Sequence, residues 1–103
     1  MIRWRLHGEI QYGKFREELE IWKQIGELTI KRGWPKLSVW SPVVGTGNLI
    51  IVEADFPDMA AWERVNNDAL TDAEYMGLFR QAATYVIQGT SFDELLSAAP
   101  ELA

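Results

Sequence analysis

Cysteine is absent from the 103 residues, which excludes a disulfide scaffold, a thiolate metal site and a cysteine nucleophile. A chain without thiols suits a reducing compartment, and the expectation is a cytoplasmic protein. Histidine occurs once, at position 7. No apolar run approaches the roughly 20 residues that cross a bilayer, and Met1-Ile2-Arg3-Trp4-Arg5 lacks the apolar region of a signal peptide, so no membrane association is expected. Positive charge is in deficit. Ten Lys and Arg stand against 15 Asp and Glu, a formal charge of −5 with pI near 4.8, which argues against a general attraction to nucleic acid or anionic lipid. What the chain has in excess is tryptophan, at positions 4, 22, 34, 40 and 62: large flat surfaces to fill a core or to line a pocket.

The length fits one domain, residues 1–103, with residues 92–103 read as a short helical tail. Its organising stretch is Lys36 to Phe56, two extended segments joined at Gly45-Thr46-Gly47. Leu37, Val39 and Val43 alternate with Lys36, Ser38 and Trp40 in the first arm. Ile50, Val52, Ala54 and Phe56 share one face of the second arm, with Leu49, Ile51, Glu53 and Asp55 on the other. Gly45 and Gly47 suit a tight reversal, and Pro42 puts the first arm at an edge.

Before this hairpin, Ile2/Trp4/Leu6 alternate with Arg3/Arg5/His7 in a first strand. Phe15, Leu19, Trp22, Ile25 and Leu28 then mark an amphipathic helix over Lys14–Arg32, ended by Gly33 and Pro35. After it, Asp58 is placed to cap a helix from Met59 to about Asn67, and Thr71-Asp72-Ala73-Glu74 has the capping-box form for a further helical piece. Thr84–Thr90 reads as a last strand, and Ser91–Glu94 as the cap of the helical tail. Strand, helix, strand, strand, helix, strand predicts an α+β, ferredoxin-like βαββαβ fold with sheet order 4-1-3-2 and helices on one face. Trp40, Leu49 and Ile51 on the other face are too apolar for water, and a second copy is the simplest cover.

This layout, with a first helix ending Arg32-Gly33-Trp34-Pro35, a hairpin through Gly47-Asn48, a strand ending Glu53-Ala54-Asp55-Phe56-Pro57 and a split second helix, resembles the dimeric α/β-barrel superfamily, most of all its NIPSNAP-type domains. The resemblance runs from Ile2 to about Leu96. It implies a homodimer joined sheet to sheet and a cleft beside the sheet. It does not imply one reaction, because the superfamily includes cofactor-free monooxygenases, haem-degrading enzymes and domains without known activity. In the enzymes an asparagine, a tryptophan and sometimes a histidine cooperate in the cleft. Trp62 and Asn66 stand where such a pair is expected, but no histidine follows on that helix, which argues against haem bound there.

Two residue sets carry the candidate chemistry. Arg3, Arg5 and His7 share a strand face opposite Glu53 and Asp55, where Arg5 can hold an anionic or carbonyl oxygen and His7 can move a proton. The same residues read as a cross-strand charge ladder at a dimer interface, the favoured alternative. Trp4, Trp22 and Trp62 are placed to face one another between sheet and helices, as pocket wall or as core, the latter favoured. Trp40, on the polar-alternating face, suits a ligand or dimer contact. Glu17, Glu18 and Glu20 read as a solvated helix face, and Gly45-Thr46-Gly47 leads into a strand, so neither metal nor cofactor is expected. Three functions follow: binding of a small hydrophobic or aromatic molecule in a Trp-lined cleft, the favoured one; a cofactor-independent monooxygenase or isomerase; or a structural dimerisation module.

Overall fold

The computed structural model describes residues 1–98. The alternating N-terminal segment forms β1 (Ile2–Glu9), followed by α1 (Phe15–Lys31), β2 (Ser38–Trp40), β3 (Leu49–Phe56), α2 (Met59–Leu70), α3 (Ala73–Ala83) and β4 (Phe92–Ser97). The four strands make one antiparallel sheet in the order β2-β3-β1-β4, the arrangement the element order predicts. Registers Arg5↔Glu53, His7↔Ile51 and Trp40↔Ile51 fix the outer face, which also carries Phe92, Glu94 and Leu96 of β4.

The inner face meets the helices. Ile50 and Val52 of β3 pack with Ile10, Ile21, Trp22, Ile25 and Ala82 as the main core, and Ala54, Phe56 and Ala61 form a second cluster beside it. On α1 the buried stripe is centred on Ile25. At 3.6 residues per turn Glu18 lies about 20° from that centre and Leu19 about 120° away. This corrects the expected stripe: Leu19 is exposed and Glu18 is buried.

Helix ends follow local chemistry. Gly33, at φ 75°, supplies the left-handed residue after α1. Asp58 Oδ1 accepts from Ala61 N at 2.8 Å to cap α2. At α3 the capping residue is Asp72, which accepts from Tyr75 N, and not Thr71. Glu74 turns outward to Arg32, whose Nε donates to Asp72 Oδ2 at 2.8 Å, so one guanidinium ties the end of α1 to the start of α3.

Three expectations about the strands are corrected. The last strand is Phe92–Ser97, where a helical tail is expected; residues 99–103 of that tail lie outside the described residues. β1 has an open edge, and pairing it satisfies more backbone groups than a capped turn of helix would. Thr84–Thr90 is instead a connection that touches the sheet through a single bridge, Val86 to Ile10, with Ile87 N donating to Glu9 O at 2.8 Å. The first hairpin arm closes after Trp40, because Pro42 has no N–H to extend the ladder. Residues 41–48 therefore form a broad loop in which Val43 and Val44 are exposed, and only Gly45 of the two glycines has positive φ. Asn48 anchors the return: its Nδ2 donates to Ile10 O at 2.9 Å while Ile10 N donates to Asn48 O at 2.8 Å.

Candidate functional site

Between the sheet and the helices, at the end where α1 finishes and α3 begins, the fold leaves a cavity of about 240 Å³. Its floor is Trp4 of β1 with Ala54 and Phe56 of β3. One wall is α2, through Trp62, Val65, Asn66 and Ala69; the other is α3, through Tyr75, Met76 and Phe79. Trp34 and Pro35, just beyond α1, close the end.

The aromatic lining is held in place from behind. Trp34 meets Tyr75 edge to face at 5.8 Å, and Tyr75 stacks on Phe79 at 6.0 Å. Trp34 N donates to Thr29 O at 2.9 Å, so the reversal after Gly33 aims the indole. Trp4 Nε1 donates to Asp93 Oδ2 at 3.1 Å, fixing the floor indole and placing a carboxylate at the cavity margin. Burial raises the Tyr75 phenol above its ordinary value, so it is a neutral hydroxyl at neutral pH. The cavity is thus an aromatic and aliphatic box with a few polar groups: the Asn66 amide, the Asp93 carboxylate and the Tyr75 hydroxyl.

The other candidate residues lie elsewhere. Arg5 and His7 are on the outer face of the sheet, with the sheet between them and the aromatic cavity. Arg5 pairs with Glu53 at 2.5 Å, and Arg3 grips Asp55 through Nε at 2.8 Å and Nη2 at 3.1 Å. That fork holds the Asp55 carboxyl below the usual carboxylate range and the Arg3 guanidinium above its own. His7 Nε2 lies 2.7 Å from Glu94 Oε1, and its ring stacks on Phe92 at 4.3 Å with 10° between planes. Trp40 sits beside the Arg3, Glu53 and Asp55 groups in a shallow outer groove, 57% exposed, its Nε1 donating to Ser38 Oγ.

Of the residues expected to meet, the structure therefore brings Trp4, Trp62 and Asn66 together in one cavity, and Arg5, Glu53 and Trp40 together on the opposite face. Trp22 belongs to neither. It is buried beside Glu18 and lines a separate cavity toward the other end of the helix layer. Sequence reasoning missed Trp34, Tyr75, Phe79 and Asp93 as cavity residues, and Phe92 and Glu94 as partners of His7. Trp34 had a readable signal, since the Gly33 turn and Pro35 fix the chain on either side of it. Among the described residues no group of three or more His, Cys, Asp or Glu is arranged to hold a metal ion, and no helix is long and apolar enough to cross a membrane.

No protein-family model and no curated protein sequence matches the chain. Solved structures do match. An uncharacterized NIPSNAP domain protein from Burkholderia xenovorans superposes with a TM-score of 0.78 at 20% identity, over 96% of this chain and 95% of that one. A NIPSNAP family protein from Agrobacterium tumefaciens gives 0.77 at 13% identity, over 95% and 92%. SnoaB, a cofactor-independent oxygenase from Streptomyces nogalater, gives 0.74 at 15% identity, over 98% and 95%. At these identities the likeness is one of fold: the ferredoxin-like βαββαβ architecture that these NIPSNAP and oxygenase proteins share with this chain.

Proposed function

We propose that the protein binds a small hydrophobic or aromatic molecule in the cavity between Trp4, Trp34 and Trp62, and that two copies pair through their outer sheet faces. The observation that carries the first part is the cavity itself: about 240 Å³, walled by aromatic rings from two strands, two helices and the turn after α1, with few polar groups among them. An apolar cavity of about 150 Å³ is enough to take benzene, so this one has room for one or two fused rings. A few polar groups on an apolar wall are what a small-molecule site needs to fix orientation.

The pairing rests on the outer face. Trp40 and Phe92 are more than half exposed there, beside half-buried Leu49 and Ile51, and the interleaved Arg3–Asp55, Arg5–Glu53 and His7–Glu94 pairs leave few unmatched charges to oppose a second sheet. On this reading Arg5 and His7 serve assembly, and a thiol-free chain works in the cytoplasm.

A cofactor-independent oxygenase is the second reading. Trp62 and Asn66, one turn apart on α2, both line the cavity, and SnoaB, called a cofactor-independent oxygenase, has the same fold. The test for binding is native mass spectrometry on freshly purified protein, followed by titration of 2-naphthol against tryptophan fluorescence. A dimer with retained small-molecule mass and saturable quenching supports the reading. A bare monomer that 2-naphthol does not quench overturns it. Oxygen uptake with the retained molecule decides between carrier and oxygenase.

A further inference from the structure

A second cavity, of about 400 Å³, lies at the opposite end of the helix layer, bordered by Leu6 of β1, Glu18 and Trp22 of α1, Phe79 and Ala82 of α3 and the connection that follows. Its one charged wall residue is Glu18, which is 1% exposed. Glu18 Oε2 accepts from Trp22 Nε1 at 3.1 Å, and Glu18 Oε1 is the one buried side-chain oxygen or nitrogen among the described residues with no partner at all. A buried carboxylate oxygen without a donor is costly, and stable interiors rarely keep one. The core around Ile25 has no use for it: a leucine or methionine would fill the position without a polar atom.

We propose that this second cavity is a binding site for a small organic ammonium, a protonated primary amine on a ring-bearing body, whose N–H groups donate to Glu18 Oε1 and whose body lies against Trp22 and Phe79. Three features select the class. The unpartnered atom is an acceptor on an acidic group, so it calls for a donor, and a cationic donor matches it best. Trp22 and Phe79, edge to face at 6.2 Å, offer aromatic surface to a cation and to a ring alike. No other residue lining the cavity, on β1, α1, α3 or the connection that follows, carries a charge, so no cation there already satisfies Glu18.

Desolvation raises the Glu18 carboxyl to about 7, outweighing the hydrogen bond from the Trp22 indole, which lowers it. An ammonium binds the ionised carboxylate, so occupancy couples to loss of that proton: the carboxyl O–H releases H⁺ to solvent and the N⁺–H of the ligand takes its place. Between pH 6 and pH 8 the ionised fraction of a group titrating near 7 rises from about one-tenth to about nine-tenths. Affinity for an amine that stays protonated over this range rises about tenfold with it.

The experiment is calorimetric titration of the full chain with phenethylamine at pH 6 and pH 8, with 2-phenylethanol as the neutral control. Tighter binding of the amine by about tenfold at pH 8, proton release at pH 6, and no such pH effect for the alcohol are expected. Glu18→Gln removes the pH dependence and weakens amine binding at pH 8 at least tenfold, while leaving 2-naphthol binding in the first cavity unchanged. Equal amine affinity at both pH values, or a Glu18→Gln variant that binds the amine like the wild type at pH 8, overturns the proposal. Should Glu18→Gln not fold, the paired wild-type isotherms decide alone.

Discussion

Glu18 and Trp22 stand one turn apart on α1, both buried, with the indole Nε1 donating to a carboxyl whose second oxygen has no partner. This places an ionisable group inside the core layer and makes stability a function of pH. The unfolded carboxyl titrates at its ordinary value of 4.5 and the folded one at about 7, so between these limits the native state holds a proton that the unfolded state has lost. Stability from this group is therefore full below pH 4.5 and falls as pH rises to 7, by roughly 3 kcal/mol at 1.36 kcal/mol per unit. Urea denaturation at pH 5, 6, 7 and 8 is expected to show that decline in the wild type and a flat profile in Glu18→Gln. A wild-type midpoint that does not fall across this range contradicts the burial of an ionisable carboxyl.

At the other end of the pH scale, the Arg3–Asp55 fork acts in the opposite sense. Asp55 is held below its ordinary value by the guanidinium, so its contribution is present above the unfolded pKa and disappears as pH falls through the folded one. The pair is largely exposed, and the effect is expected to be small and to shrink in salt. Asp55→Asn should leave the urea midpoint at pH 7 close to that of the wild type.

Asn48 offers a sharper test of the sheet. Its buried side chain donates to Ile10 O, and its main chain accepts from Ile10 N, so one residue closes the mouth of the 41–48 loop against the end of β1. Asn48→Ala strands the Ile10 carbonyl and is expected to cost about 1–3 kcal/mol, read by the shift in urea midpoint at constant m-value. Asn48→Asp, which replaces the donor by an acceptor, should cost more.

The residues that defined the fold in sequence were those whose local signal and tertiary role agree. Alternation in β1 and β3, the Gly33-Trp34-Pro35 stop and the Asp58 cap all sit where the structure uses them. β4 was hidden because Ser91 to Glu94 has the form of a capping box while its actual use, pairing with the free edge of β1, depends on contacts some 90 residues away in sequence. The cavity was half legible for the same reason. Trp4 and Trp62 are placed by strand and helix patterns and Asn66 by the family resemblance, but Tyr75, Phe79 and Asp93 enter it only through the way α3 and β4 dock. Glu18 stands in an acidic group with Glu17 and Glu20 that reads as one solvated helix face; that holds for Glu17 and Glu20, but the angular position of Glu18 beside Ile25 puts it inside.

The proposed pairing of sheets is tested at Ile51, which lies between His7 and Trp40 in the register and points to the outer face. Ile51→Glu adds a charge where two sheets would meet but leaves the helix-side core untouched. Sedimentation velocity is expected to show a wild-type dimer and a folded Ile51→Glu monomer. If the wild type is itself a monomer with the same sedimentation coefficient, the outer face is a solvent surface and the Arg5–Glu53 and His7–Glu94 pairs have only an intrachain role.

The aromatic cavity is tested by filling it from the wall. Val65 is half-buried on α2 and lines the cavity beside Trp62 and Asn66, so the larger side chain of Val65→Phe has empty space to enter. Overpacking a full core costs about 1–3 kcal/mol, whereas adding a ring to a void removes unpaired surface and is expected to leave the melting temperature unchanged or raised. Affinity for 2-naphthol should fall at least tenfold, since the ring occupies the space the ligand needs. Trp62→Phe, which keeps a ring but shortens the wall, should weaken binding less. A Val65→Phe protein that keeps its melting temperature and still quenches with wild-type affinity would place the ligand outside this cavity. The shallow groove beside Trp40 on the outer face would then be the site to examine, and Trp40→Ala would lose the quenching that Val65→Phe had spared.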